Sequence, residues 1–194
     1  SAVLEFDIFD GLLSFSSKYN SSLQLPSIEQ VRSFVNASNP LWLVGGNPQL
    51  KSGIVHNLEI VSRLMTGIGL LCDLTVLGDY KNRPIVSRNL YFTENTSLPQ
   101  YGGYEAVKGS TLSTYTNAPM SANISARLNL SKSFAAILRL GTGLAYSYSR
   151  NPDYVGDDLI YTAGHVPSLN ISATTMFSRK FDLTVKSTSS YGNV

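Results

Sequence analysis

One cysteine, Cys72, stands in 194 residues, so no disulfide can form within the chain and no cysteine-based metal site can be built. Cys72 sits in an alternating neighbourhood and reads as a small packed or lipid-facing hydrophobe. His56 and His165 are the only histidines, and neither has a cysteine or paired carboxylates at ligand spacing, so no metal is expected. Charge is scarce, at 14% of the chain against about 25% in typical soluble domains. The net charge of +2 is dispersed, with no run of Lys or Arg, which argues against a nucleic-acid partner. No long apolar run is present: the longest nearly uncharged stretch, Leu64–Leu71, is far shorter than the eighteen or so residues of a membrane helix. A Gly-x-Ser-x-Gly elbow is missing, and Gly67-Ile68-Gly69 and Gly141-Thr142-Gly143 fall inside alternating strands rather than phosphate loops. Asp153, Asp157 and Asp158 near Gly156 lack the regular spacing and closing Glu of an EF-hand and read as a solvated loop tip. No enzyme, cofactor or metal reading survives these absences.

What the chain does contain is alternation. From Phe134 to Tyr148 every second residue is Phe134, Ala136, Leu138, Leu140, Thr142, Leu144, Tyr146 and Tyr148, while Arg139, Gly141, Gly143 and Ser147 lie between them. A period of two over such a length exceeds the five or six residues of an ordinary strand. Similar patterns predict seven strands, at 3–19, 53–64, 67–91, 105–130, 134–150, 159–177 and 181–191. A phase change between Ile8 and Gly11 predicts a bulge in the first, and Ala118-Pro119 predicts one in the fourth. Tight turns are expected at Met65-Thr66-Gly67, Ser131-Lys132-Ser133 and Ser178-Arg179-Lys180, and long connections at 20–51, 93–104 and 151–158. One short helix is expected at 27–35, opened by the capping box Ser27-Ile28-Glu29-Gln30 after Pro26, with Ile28, Val31 and Val35 on one face.

Short turns at one end and long loops at the other describe an outer-membrane barrel. Phe134 and Tyr146 lie about 41 Å apart along a strand at about 3.4 Å per residue, or about 31 Å along the axis at a tilt of about 40°, near the span of two aromatic girdles. On this reading Ala136, Leu138, Leu140 and Leu144 face lipid and Arg139, Gly141, Gly143 and Ser147 face the lumen. The same alternation would also serve a soluble sandwich with its apolar faces turned inward, although such proteins carry more surface Lys and Glu. The expected fold class is therefore all-β: an antiparallel meander of long strands forming part of a transmembrane β-barrel, with one short loop helix.

The segment Gly46-Asn47-Pro48-Gln49-Leu50-Lys51 resembles the Gly-Asn-Pro-x-Leu-Lys-Pro-Glu signature of TonB-dependent outer-membrane receptors. Upstream, Leu25-Pro26-Ser27-Ile28-Glu29-Gln30-Val31 and Ser38-Asn39-Pro40-Leu41 resemble elements of the related outer-membrane β-barrel family common in Bacteroidetes. Ser52-Gly53 departs from the usual Pro-Glu. The motif residues Gly46, Asn47, Pro48, Leu50 and Lys51 are expected to be structural, because Asn47-Pro48 fixes a turn and Leu50 anchors the loop. The resemblance implies a barrel of about 22 strands closed by a plug. Residues 1–194 would then be a partial barrel domain, a reading consistent with a start directly in Leu4-Glu5-Phe6-Asp7-Ile8 and an end at Gly192-Asn193-Val194.

The function implied is a wall segment of a nutrient transporter in the bacterial outer membrane. Its partners would be membrane lipid, the remaining barrel and plug, and an unknown nutrient, with pairing between copies expected of an isolated fragment. The alternatives are a non-transport barrel for assembly or adhesion, and a soluble all-β binding module. Trp42, Tyr101 and Tyr104, aromatics in the predicted loops, are the candidate ligand contacts.

Overall fold

The computed structural model describes residues 1–8, 12–134, 137–178 and 181–191. In chain order the first strands are β1 (Ala2–Ile8), β2 (Leu13–Gln24), β3 (Val35–Asn39), β4 (Trp42–Gly45), β5 (Gly53–Met65), β6 (Leu70–Asn82) and β7 (Ile85–Tyr91). They are followed by β8 (Thr96–Leu98), β9 (Tyr104–Ala106), β10 (Thr111–Asn117), β11 (Met120–Phe134), β12 (Leu138–Val155), β13 (Asp158–Ser178) and β14 (Phe181–Ser190). Eight of them build an antiparallel wall in the order β1-β2-β5-β6-β11-β12-β13-β14. Among the described residues β1 and β14 each have a neighbour on one side only, so the wall is open at both ends.

The pairing register sorts the wall into two faces. Leu74, Leu128, Leu144 and Leu169 form one row across β6, β11, β12 and β13. One step away, on the opposite face, lie Asp73, Asn129, Gly143 and Asn170. The leucine row is uncovered: Leu144 is 51% exposed and Ile171, two residues beyond Leu169, is 56% exposed. A soluble sandwich would pack such a face against a second sheet. Among the described residues no second sheet lies there, which leaves a face suited to lipid.

Both ends of the apolar face carry aromatics. At one end Phe134 lies under the Lys132 ammonium, which sits 5.1 Å from the ring centroid. At the other, the Tyr19 hydroxyl and His56 Nδ1 are 2.6 Å apart, and so are the Tyr146 hydroxyl and His165 Nδ1. Tyr80 and Tyr148 lie tilted against those histidines. From Leu138, the partner of Phe134, to Tyr148 is about 34 Å of strand, or about 26 Å along the axis at a tilt of about 40°, close to an apolar band of about 25 Å.

Several expected boundaries move. Ser131, Lys132 and Ser133 are paired with Gly141, Leu140 and Arg139, so they continue β11, and Phe134 is paired with Leu138. The stripe from Phe134 to Tyr148 is therefore split by a hairpin whose even spacing keeps the phase, and periodicity alone could not detect it. Ala136 and the turn residues Arg179 and Lys180 lie outside the described residues. Likewise the strand expected at 3–19 is a hairpin, with Ile8 paired to Leu13, and its anticipated bulge falls partly on undescribed residues 9–11. The turn near Met65 is present, but Gly67 and Gly69 belong to it rather than to a strand: Gly69 has φ of 76° and its N–H donates to Thr66 O at 3.0 Å. The connection expected at 151–158 is strand almost throughout, reversing at Gly156-Asp157.

The strands expected at 67–91 and 105–130 each leave the wall partway. Pro84 and Pro119 cannot donate to a ladder, and both chains bend there together. Arg83 adopts φ of 54°, its N–H donates to Pro119 O at 3.2 Å, and the Ala118 N–H donates to Pro84 O at 2.9 Å. Ala118-Pro119 is thus a change of sheet rather than a bulge. Beyond it β3, β4, β10 and β7 form a second sheet in that order, with β4 and β10 parallel, and β8 pairs with β9. The helix is shorter than expected, Ile28–Val31, although both capping-box bonds are present. Val35 is drawn into β3, where it packs on a core of Leu43, Leu98, Tyr101, Ala106 and Leu112. The long connections are therefore a folded cap at the outer end of the wall.

Leu144→Arg should cost about 2–4 kcal/mol of folding stability in vesicles, while Ser147→Arg on the opposite face of the same strand should cost about 0–1 kcal/mol. Urea titration of the full-length barrel checks the contrast.

Candidate functional site

The motif segment lies where cap meets wall. Asn47 Oδ1 accepts from the Gln49 N–H at 2.9 Å, and the Leu50 N–H donates to Asn47 O at 3.2 Å, closing the turn that Pro48 favours. Asn47 Nδ2 donates to Tyr115 O at 2.9 Å, tying the turn to β10. Asn117, at the end of β10, accepts from the Lys51 N–H at 2.8 Å and donates to Lys51 O at 2.9 Å and Arg83 O at 3.1 Å. One side chain thereby joins three chain segments at the bend. Gly46 and Gly53 are required by close approach: a Cβ on Gly46 would lie 2.7 Å from the Arg32 backbone, and one on Gly53 would lie 2.7 Å from Arg83 O. Leu50 is half-buried, and the Lys51 side chain is exposed.

The three predicted ligand contacts separate. Tyr101 is buried in the cap core, its ring against Gly45, and its hydroxyl donates to Gly46 O at 2.5 Å and lies 3.2 Å from Thr114 Oγ1. Tyr104 is half-buried against the same core. Trp42 alone presents its ring, at 51% exposed, on the face of the cap sheet opposite Leu43 and Leu112. Thr111 is the in-register partner of both Trp42 and Tyr91, so the two aromatics flank it on that open face. Tyr91, 65% exposed, was hidden in the sequence inside what reads as one long strand, because only the bend at Pro84 carries it into the cap.

A second feature joins cap and wall. Arg88 on β7 pairs with Asp157, donates to Gly156 O at 3.2 Å and lies 5.3 Å from the Tyr154 ring centroid. The acidic tip is thus tied to the cap through Asp157, while its carboxylates stay exposed. Below it, the polar face of the wall forms a hollow of about 690 Å³ lined by Lys18, Glu59, Asp79, Asn123 and Ser149. On the same face Arg63 Nε lies 2.6 Å from Asp73, and within the hollow Asn123 donates to Asp79 at 3.3 Å.

Residues 1–192 match the outer membrane protein beta-barrel family. The chain superposes on a mutant of the ferric enterobactin receptor PfeA from Pseudomonas aeruginosa with a TM-score of 0.50 and 13% identity, over 95% of this chain and 33% of that one. A second PfeA mutant, in complex with enterobactin, aligns with the same score, identity and coverage of this chain, over 34% of its own. The siderophore receptor PirA from the same organism aligns over 86% of this chain at 14% identity with a TM-score of 0.46. The chain spans about a third of the length of these receptors. No curated protein matches it.

Removing the Asn117 side chain leaves backbone groups at the bend unpaired, so Asn117→Ala should loosen the cap by about 1–3 kcal/mol. Limited proteolysis should then cut within 84–117 while the barrel keeps its heat-modifiable gel mobility.

Proposed function

The chain belongs to the outer membrane protein beta-barrel family, and on that premise we propose that it supplies part of the wall and outer cap of a plugged receptor importing a nutrient too large for porins. The observation that carries this reading is the likeness in fold, over 95% of the chain, to about a third of the ferric enterobactin receptor PfeA. A barrel of about 22 strands, the size that the resemblance implies, encloses a lumen wide enough to need a plug. The free edges of β1 and β14 are where the remaining strands would pair, since an unpaired backbone edge is untenable in lipid. The polar wall face fits a lumen packed against such a plug. No reaction is assigned to the chain: its work is passage and binding.

A non-transport barrel used for adhesion is favoured by one observation, the cap's own hydrophobic core, which would hold a binding surface whether or not anything crossed the lumen. Deletion separates the two. The transporter reading expects loss of growth on one nutrient class and uptake that stops when the proton-motive force is collapsed. Unchanged growth on every nutrient, with only surface attachment lost, would favour adhesion.

A further inference from the structure

The cap sheet has a core side and an open side, and the open side is unlike the rest of the molecule. β4 places Trp42 and Val44 on it, β10 places Thr111, Ser113 and Tyr115, and β7 places Ser87, Asn89 and Tyr91. These three strands, all within the described residues, put no Lys, Arg, Asp or Glu on that side. Ser113 and Thr111 are half-buried and Asn89 is exposed, and among the described residues their side chains bond to no protein group. Two exposed aromatic rings flank a small threonine, with hydroxyl and amide groups beside them.

We infer that this open side, with Trp42 and Tyr91 as platforms and Asn89, Thr111 and Ser113 as hydrogen-bonding groups, is a binding site for a neutral oligosaccharide. The inference rests on the proposed reading of the cap as the outward face of a receptor. Trp42 and Tyr91 are two strand spacings apart, about 9.6 Å at the backbone, a distance that two linked pyranose rings span. Sugar rings offer apolar C–H faces to aromatic surfaces and hydroxyls to amides and hydroxyls around them, and they need no counter-charge. An anionic chelate would call for an unpaired cation, and the one guanidinium beside the face, that of Arg32, donates to Val44 O and is paired with Glu29. A peptide would seek an unpaired strand edge, which here is the outer edge of β7 and not the face between Trp42 and Tyr91.

The test uses the full-length protein in detergent, titrated calorimetrically with maltoheptaose, xylohexaose and mannohexaose, and with a ferric catecholate chelate and a heptapeptide as other classes. At least one oligosaccharide should bind, and Trp42→Ala and Tyr91→Ala should each weaken it about tenfold, while Trp42→Phe stays within about threefold of the parent. Retained heat-modifiable mobility and protease resistance show that each variant is folded. Lack of binding by all three glycans, glycan binding indifferent to both alanine variants, or chelate or peptide binding lost on Trp42→Ala would overturn the assignment. Energy-dependent uptake that survives in both alanine variants would overturn it while leaving the transporter reading intact.

Discussion

The interaction on which the structure depends is the antiparallel backbone ladder of the wall. In lipid no water is present to satisfy an N–H or C=O, so every strand crossing the membrane must pair with its neighbours along its whole membrane-spanning length. That requirement sets the length of β11, β12 and β13, and it allows an apolar face with no covering layer. It also explains why the hydrophobic core lies outside the membrane span. Leu43, Leu98, Tyr101, Ala106 and Leu112 gather in the cap, where water surrounds the protein and burial is favourable.

Given a continuous ladder below, the cap needs a place where pairing can be broken safely. Pro84 and Pro119 supply it, because both remove a donor from adjacent strands at the same height, above the tyrosine and histidine girdle. The carbonyls and amides freed at the bend are taken up by one another and by the Asn117 side chain. Arg83 in the left-handed region and Gly53 beneath it let the two chains cross without a clash. The Gly46-Asn47-Pro48-Gln49-Leu50-Lys51 segment closes the same junction from the other side. Wall and cap are thereby coupled by backbone geometry, and Arg88 with Asp157 adds a second tie through the β12–β13 hairpin. An aromatic platform such as Trp42 and Tyr91 gains from this arrangement, because it stands on a sheet held at two points.

Much of the wall could be read from residue spacing. Leu128, Leu130, Leu138, Leu140 and Leu144 alternate with Asn129, Arg139, Gly141 and Gly143, and a period of two has one structural meaning. The capping box at Ser27 and Gln30 was equally legible, since it is a local contact between residues three apart. The hairpins after Ile8 and Phe134 were not, because each reversal preserves the phase on either side of it. Tyr101 was legible as an aromatic beside glycines but not as a buried one. Its place in the core depends on Gly45 and Thr114, which lie 56 and 13 residues away in sequence.

The sequence by itself determined an all-β class of long, poorly charged, alternating strands, with short turns at one end and a junction motif at the other, while the side on which the apolar face lies stayed open. These are local properties, fixed by side-chain alternation and by proline and glycine chemistry. Only the tertiary structure decided that two strands leave the wall together, that the long connections fold into a cap, and that Trp42 and Tyr91 share a face. Those outcomes depend on which distant segments pair. No period within one strand records the identity of its neighbour.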